Sequence, residues 1–165
     1  MKVRDETMFE DTGYIYSTNP TMYNTPKDVY NCGGYALNLF KWYIPTNSWE
    51  DYDDIEQLLA DEDYETATTV AVEYMCKELG YTFISSDKVF NHTIDYKKYE
   101  IVAFRYEMMG EYSDFHYMKI GKNGNWYEKR GRNPKIYRHE YYYVFRTWAH
   151  RYDGPIAFLI KEREL

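Results

Sequence analysis

The chain has 165 residues, a formal net charge of -7 and a pI near 5.1. That length fits one domain of about 100–200 residues, with residues 1–165 read as a single unit. A composition of 44% hydrophobic and 20% aromatic residues excludes a disordered chain, and 27 acids against 20 bases exclude a general nucleic-acid binder.

No apolar run reaches the roughly 18 residues needed to cross a bilayer, so no membrane span is expected. The start, Met1-Lys-Val-Arg-Asp-Glu, carries charge and no apolar stretch. It therefore reads as lacking a signal peptide, which implies a cytoplasmic location; export through a phage holin or a secretion system stays open. The two cysteines, Cys32 and Cys76, sit far apart in unlike surroundings and read as free thiols. The 21 tyrosines are the unusual feature, each an apolar ring whose hydroxyl needs a partner.

Residues 1–30 are turn-rich, with Asn19-Pro20 and Asn24-Thr25-Pro26, and predict an extended arm. Residues 31–80 predict helices. Asn31 is a good N-cap for a buried helix over Cys32–Tyr43, ended by Pro45. Glu50–Ala60 is acidic and amphipathic. Tyr64–Leu79 predicts a surface helix whose inner stripe, at 3–4 spacing, is Ala67, Val70, Ala71, Tyr74, Met75 and Glu78, stopped by Gly80. Residues 81–165 predict a sheet. Its strands are Tyr81–Ile84, Ile101–Glu107, Phe115–Ile120, Asn125–Lys129, Tyr141–Trp148 and Ile156–Lys161. Helices first and strands second predict an α+β fold, with N-terminal helices packed on a C-terminal antiparallel sheet.

Chemistry starts at Asn31-Cys32-Gly33-Gly34-Tyr35. A thiol in the first turn of a helix faces the positive end of the dipole, which favours thiolate. Gly33 and Gly34 lack side chains that would crowd the sulfur, and backbone N–H groups there could serve as oxyanion donors. A cysteine nucleophile needs a base. Of four histidines, His116 lies in a strand, which fixes its side-chain direction. His92, His139 and His150 lie in polar or basic stretches. Asp114 and His116 with His139 and Glu140 match no compact metal site, so no metal and no cofactor are expected. Tyr141, Tyr142 and Tyr143, beside Arg130, Arg132, Lys135 and Arg138, read as a ring-rich strand with a solvated basic flank.

Three blocks together resemble a known superfamily. They are Asn31-Cys32…Tyr35-Ala36-Leu37, then Asp114-Phe115-His116-Tyr117, then Gly124-x-Trp126-x-x-Lys129-x-Gly131. This order is similar to the NlpC/P60 group of papain-like cysteine peptidases and amidases. It is closest to small bacterial and phage proteins with N-C-x-x-Y-A-L and D-[FY]-H-[WY] blocks. The resemblance implies Cys32 as nucleophile, His116 as base and Glu128 as the third, orienting residue. Glu128 stands where those proteins carry His. It also implies that Gly33, Gly34, Tyr35, Tyr117 and Trp126 line or support a substrate site. The implied partner is a peptide or a cell-wall-like amide. A second reading makes the chain a phage or mobile-element protein whose acidic, Tyr-rich surface blocks a host protein.

Strand register decides whether Glu128 can serve. A two-residue Asn123-Gly124 turn pairs Lys122 with Asn125 and sends Glu128 to the face opposite His116. A three-residue Lys122-Asn123-Gly124 loop pairs Gly121 with Asn125. Glu128 and His116 then become diagonal neighbours on one face. The sequence permits both.

Overall fold

The computed structural model describes residues 14–16, 31–39, 43–45, 49–107, 115–129, 135–146, 148 and 154–164. Its elements begin with strand β1 (Tyr14–Tyr16), helix α1 (Cys32–Ala36), α2 (Trp49–Ala60), α3 (Tyr64–Leu79), β2 (Thr82–Ile84) and α4 (Ser86–Phe90). They continue with β3 (Tyr99–Tyr106), β4 (Phe115–Ile120), β5 (Trp126–Lys129), β6 (Lys135–His139), a 3-10 helix (Tyr141–Phe145) and β7 (Ala157–Glu162). The strands form one sheet in the order β1-β6-β5-β4-β3-β7-β2, and each neighbouring pair is antiparallel. The architecture is α+β. Among the described residues, no helix is long and apolar enough to cross a membrane.

Alternation along the central strands builds two cores. Val102, Phe104 and Tyr106 of β3 and Phe115 and Tyr117 of β4 face α1, α2 and α3. There they meet Cys32, Ala36, Ile55, Ala67, Ala71 and Met75. Ile101, Ala103, Met118, Ile120 and Phe158 point the other way, toward Val89 of α4, Tyr141, Val144 and Trp148. Burying one large apolar side chain contributes about 1.5–3 kcal/mol, so both faces hold the sheet in place.

Local chemistry sets the helix limits. Asp63 caps α3 by accepting from the Thr66 N–H at 3.2 Å, and Gly80 ends it with φ of 75°. The buried stripe of α3 is Ala67, Thr68, Ala71, Val72 and Met75, whereas Val70, expected inside, is exposed. Thr68 can be buried because its hydroxyl donates to the Tyr64 carbonyl at 2.7 Å. Helix α1 is shorter than expected. Asn38 takes φ of 57°, its N–H donates to Tyr35 O, and Leu39 N–H donates to Gly34 O. That pattern closes a helix well before Pro45, and asparagine tolerates the left-handed position.

Tyr141–Phe145 is a 3-10 helix rather than the start of a strand. Tyr141 and Val144, three residues apart, both face the second core, as three residues per turn require. The Tyr141 hydroxyl donates to the Val89 carbonyl and accepts from the Tyr96 hydroxyl at 2.6 Å, which ties the turn to α4. Strand β6 and helix α4 were not expected. Of the predicted N-terminal arm, only Tyr14–Tyr16 is described, as the outermost strand against β6; its remainder lies outside the described residues.

Candidate active site

The site is assembled from Asn31 upward. The Asn31 side-chain oxygen accepts from Gly34 N–H at 3.0 Å and from Tyr43 N–H at 3.1 Å. Its amide donates to the Tyr43 carbonyl at 2.7 Å. One buried side chain therefore caps α1 and clamps a second stretch of chain beside it. This makes Cys32 the first helical residue. Among the described residues, the Cys32 and Gly33 backbone N–H groups have no acceptor, as the first turn of a helix dictates.

Cys32 is 4% exposed, and its sulfur lies 3.9 Å from the Phe115 carbonyl at the start of β4. It also acts electrostatically on the imidazole of the next residue, His116, whose pKa it raises. The His116 Nε2 atom is 2.9 Å from Glu128 Oε1. The other carboxylate oxygen, Glu128 Oε2, lies 2.5 Å from His139 Nε2. A hydrogen-bonded series, His116–Glu128–His139, thus runs across three strands, with Cys32 at the helix end acting on its first ring.

The hairpin produces this order. Lys119 pairs with Tyr127 and Ile120 with Trp126. Gly121 N–H donates to Asn125 O at 2.8 Å, and Gly124 N–H donates to Gly121 O at 3.0 Å. Gly124 has φ of 83°. This is the three-residue loop with glycine in the left-handed position, the alternative that sets Glu128 diagonal to His116.

Burial opposes charge on the His116 ring. The charge and hydrogen bond of Cys32, then those of Glu128, outweigh it and push the pKa up to about 10. The edge of Trp148 packs against the ring at 5.9 Å. Arg105, paired with His116 across β3 and β4, lies over the same indole at 5.2 Å. Its guanidinium is held by the carbonyls of Gly154 at 2.8 Å and Arg146 at 2.6 Å. Burial, with added repulsion from Glu73, pushes the Cys76 pKa up against a smaller opposing pull from the Phe83 backbone.

The remaining predicted site residues are brought close but play other parts. A Cβ on Gly33 would meet Tyr43 Cδ1 at 3.0 Å and Tyr117 Cε2 at 3.1 Å. Gly33 therefore admits α1 onto two rings, rather than leaving space above the sulfur. The Gly34 amide is committed to Asn31 and is no oxyanion donor. Tyr35, Tyr117 and Trp126 are each 0% exposed. Tyr35 lies beneath the Lys119 ammonium at 4.1 Å, and the Tyr117 hydroxyl donates to Met75 Sδ at 3.4 Å. Trp126 packs in the second core beside Tyr141 and Phe158. These rings support the site from within and present no surface to a ligand.

His139 was not expected here. Its ring stacks on Tyr143 with centroids 3.8 Å apart. Trp126 pairs with His139 across β5 and β6, so His139 and Glu128 are diagonal neighbours on one face. Only the β6 register reveals this, and the short Lys135–His139 run carries no strong strand signal. Among the described residues, no group of three or more His, Cys, Asp and Glu side chains is arranged to hold a metal ion. Asp114 lies outside the described residues.

Comparison of the chain with protein-family models, curated proteins and solved structures finds no match.

Proposed function

We propose that this chain is a cysteine hydrolase or acyltransferase that acts on an amide, peptide or thioester carbonyl, in a papain-like arrangement akin to the NlpC/P60 group. The observation that carries the reading is the His116–Glu128 hydrogen bond with Cys32, the first residue of α1, acting electrostatically on the same ring. Nucleophile, base and orienter stand in the relation that covalent acyl transfer needs.

The Cys32 sulfur attacks the carbonyl carbon as its proton passes to His116. The oxyanion forms beside the Cys32 backbone N–H, whose hydrogen is not taken by the helix. The His116 imidazolium then protonates the leaving nitrogen, and the acyl group remains on sulfur as a thioester. Water, activated by the now neutral His116, attacks the thioester and restores the thiol. An amine in place of water makes the reaction a transfer. Glu128 fixes the ring orientation and balances the imidazolium charge. The raised His116 pKa suits this role, because the ring keeps its proton until the leaving group needs it.

The test uses p-nitrophenyl acetate as the acyl donor. One acetyl group should accumulate on Cys32, located by mass spectrometry, with a matching burst of p-nitrophenolate. Cys32→Ala should abolish the burst and His116→Ala should reduce it by at least about 100-fold, the lower range for a general base. Acetylation spread over Cys76 and lysines, with no preference for Cys32, would overturn the enzyme reading in favour of a binding module.

A further inference from the structure

The site contains a buried carboxylate shared by two imidazoles, which the reaction above uses on one side only. We infer that His139 is a positioning residue. It holds Glu128 Oε2 so that Oε1 stays directed at His116. This rests on the reading of Cys32 and His116 as nucleophile and base.

Three observations carry it. Glu128 is 1% exposed, and a buried carboxylate is costly unless its oxygens are hydrogen-bonded. The His139 Nε2 atom meets Oε2 at 2.5 Å while His116 Nε2 meets Oε1 at 2.9 Å, so the two rings grip opposite oxygens. The last torsion of a glutamate is broad and weakly restrained, so a donor on the second oxygen adds to the hold on its orientation. His139 is itself held, face to face with Tyr143 at 3.8 Å and 8° between planes. The stack connects the catalytic carboxylate to the Tyr141–Phe145 turn.

The proton inventory follows from this geometry. An ionised carboxylate only accepts, so both Nε2 atoms carry hydrogen. That leaves His116 Nδ1 as the basic nitrogen facing Cys32. His139 thereby supports the tautomer that the base requires while lying two side chains from the sulfur.

The test measures the rate of Cys32 alkylation by iodoacetamide at pH 6, with Cys76 as internal reference. His139→Phe keeps a ring to stack on Tyr143 and removes the donor. His139→Gln keeps an N–H donor at the same reach. His139→Phe should slow Cys32 labelling by about tenfold, the low end for loss of an outer partner of a functional group. His139→Gln should return it to within about threefold of wild type. Equal slowing in both variants, or none in His139→Phe, would overturn the inference while slow labelling of His116→Ala left the enzyme reading standing. Wild-type labelling of His116→Ala would instead sink the enzyme reading itself. Should His139→Phe fail to fold, the nitrogen resonances of 15N-histidine-labelled wild-type protein decide the point. Both His116 and His139 should be protonated at Nε2, and an unprotonated His139 Nε2 would contradict the inference.

Discussion

Replacing Gly121 with alanine probes how the β4–β5 hairpin places Glu128. The new Cβ would sit 2.6 Å from Tyr127 Cε2 and 2.9 Å from Asn123 Oδ1. Neither neighbour can withdraw easily. Tyr127 is 0% exposed and its hydroxyl accepts from Asn123 Nδ2 at 2.8 Å. Asn123 Oδ1 in turn accepts from the Asn125 N–H at 3.0 Å, which shapes the three-residue loop. Overpacking of this kind costs about 1–3 kcal/mol. In a chain of this size each kcal/mol moves the melting temperature by about 2–4 °C, so a fall of about 2–12 °C is expected. The strain is relieved most directly by loosening the loop, and a one-residue slip would send Glu128 to the face away from His116. Thermal unfolding followed by circular dichroism gives the first readout, and Cys32 alkylation gives the second. Both should fall. A variant that melts and labels like wild type would refute the packing argument. A lower melting temperature with wild-type labelling would break the link from turn to site.

Other substitutions follow from the same contacts. Asn31→Ala removes the α1 cap, worth about 1 kcal/mol, and leaves two buried Tyr43 backbone groups without that partner, at about 1–3 kcal/mol each. Urea unfolding should therefore show a loss of at least about 3 kcal/mol, and a loss under about 1 kcal/mol would contradict the clamp. Gly124→Ala meets no atom closer than 3.7 Å, so its cost is that of φ at 83° alone, about 1–2 kcal/mol by the same assay. The raised His116 pKa also has a signed consequence. Its stabilisation is full below the unfolded-state value near 6.5 and is lost as pH rises through about 10. The stability difference between wild type and His116→Ala should shrink across that window, and a difference that grows would contradict the assignment.

Much of this site was legible before the fold was known, because its signals are local. Asn31 before Cys32 marks a helix start, and Phe115–Ile120 reads as a strand from its rings and β-branched residues. The hairpin loop could be narrowed to two registers. Choosing between them needed the Tyr127 ring over Gly121 and the Asn123 amide, contacts that depend on side chains across the turn. His139 was missed for a related reason. Its role depends on pairing Trp126 with His139 across a strand of five residues with little alternation. The Tyr141–Phe145 segment misled because three tyrosines favour strands in isolation. The tertiary demand to bury Tyr141 and Val144 on one side prevailed. Gly33 was read as space for a substrate. Its neighbours Tyr43 and Tyr117 show that space to be filled by the core.

The most direct measurement is the pH 6 alkylation rate of Cys32 relative to Cys76, in wild type and in His116→Ala. The account predicts rapid, selective labelling of Cys32, because His116 acts as its base whereas burial raises the Cys76 pKa. That selectivity should vanish in His116→Ala. Equal, slow labelling of both cysteines in wild type would contradict the claim that Cys32 is an activated nucleophile.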